Sequence, residues 1–171
     1  MTHLTNHDQL TGLPNRVLLH DRVVQAIARS FTSRQSIALL LIDIDNFKYL
    51  NDSLGHQIGD FVISVIAKRL SDTLGQNATL ARVGGDEFAC LLSDIGSGYS
   101  ADSIAMACLQ AGRKPIEIDD KAHQLSLSIG ISLYPQDAVN AEEMMRHADS
   151  AMYRSKSKGK ALIHFCVGLL Y

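Results

Sequence analysis

The sequence predicts an α+β fold, a central and mostly antiparallel sheet flanked by helices. Three observations point there. Ile37 to Ile42 reads Ile-Ala-Leu-Leu-Leu-Ile, an unbroken apolar run of one strand's length, as expected for a central strand covered on both faces. Leu125 to Leu133 alternates without a fault: leucines and isoleucines fall on one face, and Ser126, Ser128, Gly130 and Ser132 on the other. Helical stretches lie between strands and hairpins in a mixed order, not in regular strand–helix–strand units.

Taken in order, residues 1–13 form a lead-in, and Pro14 suits the first position of a helix. That helix runs to about Ser30, with Leu19, Val23 and Ile27 on one face beside Val24 and Ala28. The apolar strand from Ser36 ends in Asp43-Ile44-Asp45. A helical turn over Asn46–Asn51 and a loop over Ser53–Gly59 follow. The next helix spans about Asp60 to Ser71, with Val62, Ile66 and Leu70 as its stripe beside Phe61 and Val65. Leu80–Val83 and Phe88–Leu92 read as two strands joined at Gly84-Gly85, a pair suited to a two-residue turn because both can take positive φ. Gly96-Ser97-Gly98 is a loop, and Ser100–Ala111 is a helix buried through Ile104, Ala107, Cys108 and Ala111. Lys114–Ile118 is a further strand. Asn140 caps a helix to about Lys158, with Glu143 as capping-box partner. That helix buries Met145, Ala148 and Met152, and Ala161–Val167 is a final edge strand.

Composition sets outer limits. With 171 residues the chain fits one domain, residues 1–171, long enough to bury a real core. A net charge of −2, from 16 basic and 18 acidic residues, offers no basic footprint for nucleic acid. Cys90, Cys108 and Cys166 are too scattered for a zinc site or disulfide framework and read as buried thiols. No apolar run is long enough to span a bilayer and no signal-peptide core is present, so a cytoplasmic segment without membrane contact is expected.

Two acidic spots carry the chemistry. Asp43 and Asp45 end the most apolar strand, and Asp86 and Glu87 follow directly on the bare Gly84-Gly85 backbone, where a bulky ligand has room. If the hairpin pairs beside the strand, Asp43 and Asp86 meet. Two carboxylates about 4 Å apart repel by roughly 4 kcal/mol at an effective dielectric near 20, so the pair needs a raised pKa or a cation. Oxygen ligands without nearby His or Cys suit Mg²⁺, which binds through one or two carboxylates plus substrate phosphates. The plainer alternative is a solvated strand end beside an ordinary hairpin.

Gly84-Gly85-Asp86-Glu87-Phe88 spells the signature of the GGDEF domain, the diguanylate cyclase family. Four further blocks resemble that family. They are Asp8-x-Leu10-Thr11-Gly12-Leu13-x-Asn15-Arg16; Asp43-x-Asp45-x-Phe47-Lys48 with Asn51-Asp52 and Gly55-His56-x-x-Gly59-Asp60; Ser128-Ile129-Gly130; and Ala148-Asp149-x-Ala151-Met152-Tyr153-x-x-Lys156. Together the blocks cover residues 8 to about 160.

The resemblance implies a fold like the nucleotidyl cyclases and the polymerase palm, condensing two GTP into cyclic di-GMP across two facing protomers. It implies Mg²⁺ (or Mn²⁺) on Asp43, Asp86 and the Ile44 carbonyl, with Asp86 or Glu87 helping to deprotonate the attacking 3′-hydroxyl. Asn51 and Asp60 would read guanine, and Lys48, Lys156 and Lys160 would meet the phosphates, with Phe47, Gly84 and Gly85 lining the substrate. His56 reads as a loop-ordering side chain. Asn51 also suits a helix end, Asp60 a helix N-cap, and the basic tail a helix C-terminus.

One departure stands out. Gly75 and Ala78 occupy the positions of the family's upstream Arg-x-x-Asp product site, so no inhibition through that site is expected. The wording of the first two blocks resembles tandem proteins in which this domain precedes an EAL phosphodiesterase domain. A catalytically weak GTP-binding regulator of such a domain is therefore the alternative, and a pure dimerisation domain ranks last. A sensor or EAL domain covalently attached in a longer parent, which could be membrane-anchored, is expected.

Overall fold

The computed structural model describes residues 5–76, 78–95 and 101–165. The Gly96–Gly98 loop, the Ser100 helix start, Cys166 and the end of the last strand at Val167 lie outside the described residues. The elements are α1 (Arg16–Ser33), β1 (Ser36–Ile44), α2 (Phe47–Leu54), α3 (His56–Leu74), β2 (Ala78–Arg82) and β3 (Glu87–Ile95). They continue with α4 (Ala101–Gly112), β4 (Ile116–Ile118), β5 (Lys121–His123), β6 (Leu127–Tyr134), α5 (Ala141–Ser157) and β7 (Ile163–Phe165).

The main sheet has the order β2-β3-β1-β6-β7; every pairing is antiparallel except β6 with β7. β1 lies at the centre, as its unbroken apolar run requires. Its alternate residues feed two cores. Leu40 and Ile42 pack with Val62, Ile66 and Leu70 of α3 on one face, and Leu39 and Leu41 pack with α1 and α5 on the other. β4 pairs with β5 in a separate ribbon, so the strand expected at Lys114–Ile118 shortens to three residues and never joins the main sheet.

Several boundaries move for identifiable reasons. Asn15, not Pro14, opens α1: its side chain accepts from the Leu18 amide, while Pro14 bridges back to His7. Ala26 and Ser30 share the buried face with Leu19, Val23 and Ile27, whereas Val24 and Ala28 are exposed. The expected loop over Ser53–Gly59 shrinks to Gly55, whose φ of 95° lets α2 turn directly into α3. Asp60 therefore sits in the second turn of α3 rather than at its N-cap, and Phe61 lies outside the buried stripe. α4 buries Ala101, Ala105, Cys108, Leu109 and Ala111, with Ile104 and Ala107 only half-buried.

Asn140 does cap α5, accepting from the Glu143 amide at 2.9 Å; Glu143 reaches back to the amide of Val139, one residue before the cap. Met144 rather than Met145 is fully buried on α5. The serine and glycine face of β6 is also covered, because α5 lies on it. Cys90 and Cys108 are buried free thiols.

Candidate active site

The acidic ends of β1 and β3 meet because the two strands run antiparallel in a register that sets Asp43 opposite Glu87. The Ile44 amide donates to the Asp86 carbonyl at 3.2 Å, tying the signature hairpin to the strand end. The hairpin loop holds four residues, Val83–Asp86, rather than two. The amides of Val83 and Gly84 both donate to the Glu87 carbonyl, and neither Gly84 nor Gly85 has positive φ. The turn needs no unusual backbone. What Gly85 contributes is open space, since a Cβ there would meet nothing within 4 Å.

Arg82 fixes this loop. Its guanidinium donates to the carbonyls of Gly84 (3.2 Å) and Gly85 (2.8 Å) and forks onto Asp8 at 3.0 and 3.2 Å. Asp8 also accepts from Thr11, and these bonds outweigh burial to hold its carboxyl below the usual range. The first block and the signature hairpin are thus one structural unit. No sequence pattern singles out Asp8 and Arg82 as partners; a lone Arg before a turn gives no sign that it will cap it.

Burial, aided by the neighbouring Asp86 and against the pull of Lys156, pushes the Asp43 carboxyl up to about 7. Its Oδ2 pairs with Lys156 Nζ at 2.9 Å, while its buried Oδ1 has no hydrogen-bond partner. Lys156 also stands 3.3 Å from Asp45 Oδ1 and donates to the Ile44 carbonyl at 3.4 Å. Burial works against the ammonium's charge, but its bonds to Asp43 and Asp45 raise its pKa above the ordinary value. Lys156 therefore balances the oxygens among which a metal was expected. Glu87 is likewise pushed up, by burial first and then by Asp149, with Arg16 at 3.9 Å pulling the other way.

Asp45 is a structural knot. It is 2% exposed and accepts from Ser126 Oγ, Ser128 Oγ (2.6 Å) and the Ala161 amide (3.0 Å). Those bonds hold the start of β6 and the turn after α5 against the site.

α2 starts beside these groups without a side-chain cap, so its first amides are open to an anion. The Phe47 ring is buried in the core and leaves only its backbone to the site; Lys48 is exposed, and Lys160 bonds to the Asn46 side chain. Asn51 of α2 faces Gly59 of α3, and the exposed Asp60 follows directly in the chain. Asn51 Oδ1 is buried without a partner, and a Cβ on Gly59, the residue before Asp60, would lie 1.8 Å from it. His56 opens α3, exposed.

A family described as "Diguanylate cyclase, GGDEF domain" matches residues 5–161. The chain belongs to the GGDEF family. Diguanylate cyclase TpbB of Pseudomonas aeruginosa is 40% identical over 161 residues, covering 94% of this chain and 37% of that protein. The bifunctional diguanylate cyclase/cyclic di-GMP phosphodiesterase MucR of the same organism is 39% identical over 160 residues, covering 94% of this chain but 23% of its own length. This GGDEF chain thus spans well under half of those relatives. A solved structure of a truncated TpbB comprising only the GGDEF domain superimposes with a TM-score of 0.90 at 39% identity, covering 94% of each chain.

The family is generally metal-dependent, and this GGDEF site suits a cation. An orphaned carboxylate oxygen, a carboxyl group pushed toward neutrality and a half-buried ammonium standing in as counter-charge all call for positive charge there. Among the described residues no three His, Cys, Asp or Glu side chains converge as a ready-made metal cluster. No helix among the described residues is long and apolar enough to cross a membrane.

Proposed function

We infer that this domain is a diguanylate cyclase module that condenses two GTP into cyclic di-GMP, releasing two pyrophosphates, when two copies face each other. The observation that carries this reading is the buried, partnerless Asp43 Oδ1 beside Asp86, at the mouth of the uncapped α2 N-terminus. GTP would lie with its phosphates over the first amides of α2 and its base between Asn51 and Asp60. Guanine's N–H groups suit Asp60, and its mixed edge suits an amide. Lys48 and Lys160 would meet the phosphates. Lys156 would exchange its carboxylate partners for phosphate oxygens once those carboxylates have another cation.

Asp43, Asp86 and the Ile44 carbonyl would hold Mg²⁺, or Mn²⁺, which when bound neutralises the triphosphate and polarises the α-phosphate. Asp86 or Glu87 accepts the proton of the 3′-hydroxyl; the O3′–Pα bond forms as the bond from Pα to pyrophosphate breaks. In the whole protein the domain would be joined to sensor or EAL domains; MucR, a bifunctional diguanylate cyclase/cyclic di-GMP phosphodiesterase, is a relative in which a cyclase accompanies a second activity.

The test is incubation with GTP and Mg²⁺ and chromatography for cyclic di-GMP over a range of protein concentrations. Product should form with a rate that climbs faster than linearly in protein, and Asp86→Asn should abolish it while the circular dichroism spectrum is kept. Saturable GTP binding without product at high protein concentration would instead favour a regulatory domain.

Gly75 and Ala78 line a small cavity of about 250 Å³ at the start of β2 and offer no side chain to hold a guanine or phosphate. Added cyclic di-GMP should therefore leave the initial rate unchanged. A tight product complex lost on changing residues 75–78 would contradict this.

Gly59→Ala is predicted to separate affinity from folding. The severe clash falls on the end of the Asn51 side chain, which can swing away; the Phe47 ring, 3.2 Å from the new Cβ, must give by a few tenths of an ångström, and Ala is favoured over Gly inside a helix by up to about 1 kcal/mol. Thermal stability should hold, while KM for GTP rises by roughly 10-fold as one or two base contacts are lost. An unchanged KM would show that Asn51 does not touch the substrate.

A further inference from the structure

A cavity of about 600 Å³ opens behind α2, and none of Asp43, Asp86, Glu87, Asn51 and Asp60 lines it. Its volume falls in the range of small-molecule sites. Its apolar lining is Leu50 and Leu54 of α2 beside Tyr49, a residue 75% exposed whose aromatic ring is available for stacking. The same cavity is lined by polar groups: the Arg113 guanidinium just after α4, His123 at the end of β5, and Gln124. The Arg113 guanidinium makes one long bond, 3.4 Å to the Ala161 carbonyl, leaving most of its donors unengaged among the described residues. A guanidinium fork and an exposed aromatic ring lining one cavity match a planar ring that carries a phosphate.

The cavity is wired to the site already described. Asp45 and Asn46 line its floor, and both hold the turn that carries Lys160. Asp45 accepts from the Ala161 amide at 3.0 Å, Asn46 accepts from Lys160 Nζ, and Arg113 donates to the Ala161 carbonyl. That turn keeps two non-glycine residues in the left-handed region, Lys160 at φ 66° and Ala161 at φ 53°, a conformation that persists only while its surroundings enforce it. The Lys160 amide also donates to the Ser155 carbonyl at 2.9 Å, so an anion that draws Arg113 away removes one of four bonds enforcing the turn.

We propose that the cavity behind α2 is a regulatory site for a small aromatic phosphate, and that filling it weakens GTP binding through the turn at Lys160–Ala161. The effect on GTP rests on the reading of Lys160 as a phosphate contact; occupancy of the cavity does not.

The experiment titrates phenyl phosphate into the ¹⁵N-labelled domain and follows backbone amide shifts, with phenol and inorganic phosphate as separate arms. The shifts should centre on Tyr49, His123 and Gln124, and each half-ligand alone should bind at least about tenfold more weakly, the worth of one charged hydrogen bond. Arg113→Met should abolish the shifts, and His123→Gln should weaken them while leaving GTP affinity unchanged. Calorimetry with Mg²⁺ and 3′-deoxy-GTP, which cannot cyclise, should show nucleotide affinity falling about fivefold at saturating phenyl phosphate, the low end of ordinary coupling between sites.

Shifts centred instead on Asn51 and Lys156 would overturn the proposal, as would full binding by Arg113→Met or phenol binding as tightly as phenyl phosphate. An unchanged GTP affinity with the cavity filled would overturn its regulatory half. The shift titration needs no turnover, so failure here is distinct from failure of the cyclase reading.

Discussion

Replacing Asp43 with Asn is expected to abolish cyclic di-GMP formation without weakening the fold. The carboxylate is buried beside Asp86, and one of its oxygens has no partner. Removing it takes away the anchor for a cation whose stabilisation of charge at phosphorus is worth several kcal/mol, so the rate should drop by roughly 1,000-fold or more. Stability should move differently. In the folded protein burial raises the Asp43 pKa to about 7, well above the ordinary 3.8. A group raised in this way contributes stability that is complete below its unfolded pKa and is lost as pH climbs through the folded value. Without divalent metal, the wild-type melting temperature should therefore sag between about pH 4 and pH 7, and Asp43→Asn should flatten that slope. A variant that melts lower than wild type at pH 8 would mean that the Lys156 pair outweighs the burial of Asp43.

Adding a single methyl group at Gly130, by Gly130→Ala, should destabilise the fold severely. A Cβ at Gly130 would stand 2.1 Å from the Met152 amide nitrogen and 2.3 Å from the Ala148 carbonyl oxygen, both backbone atoms of α5. No rotamer change relieves that contact; the helix must lift from the sheet, opening the core around Leu39, Leu41 and Met144. A loss above about 3 kcal/mol is expected, in the upper tail for point substitutions. Lifting α5 also carries Lys156 away from Asp43, so activity should fall with stability. Ser132→Ala, on the same face of β6, is the control. Its buried hydroxyl has no partner, and deleting it should be neutral or stabilising by up to about 1 kcal/mol. Urea unfolding distinguishes the two, and equal midpoints for Gly130→Ala and wild type would refute the close approach of β6 to α5.

The strands are legible in the sequence where hydrophobic period alone decides the outcome. β1 and β6 lie where their patterns put them, and the two helix faces headed by Leu19 and Val62 are buried. The meeting of Asp43 with Asp86 rests on that pairing and on a register that sets Asp43 opposite Glu87. What escapes depends on contacts between segments far apart in sequence. Nothing local distinguishes Arg82 as the clamp of the signature turn, or Asp45 as the acceptor for two serines and a distant amide. Arg16 and Asp149, which flank Glu87 from α1 and α5, stand in the first and last sequence blocks with nothing nearby to name their partner. The Gly55 junction is hidden because a lone glycine in a polar stretch looks like part of a loop, whereas here it joins two helices end to end.

Whether Asp43 and Asp86 together hold a divalent cation for GTP is tested most directly by electron paramagnetic resonance of free Mn²⁺. The ion is titrated in the presence of 3′-deoxy-GTP, which cannot cyclise. Wild type should deplete the free-ion signal only when the nucleotide is present, and Asp43→Asn and Asp86→Asn should leave that signal as in a protein-free control with the same nucleotide. Mn²⁺ taken up equally well by both variants would contradict the assignment of the site.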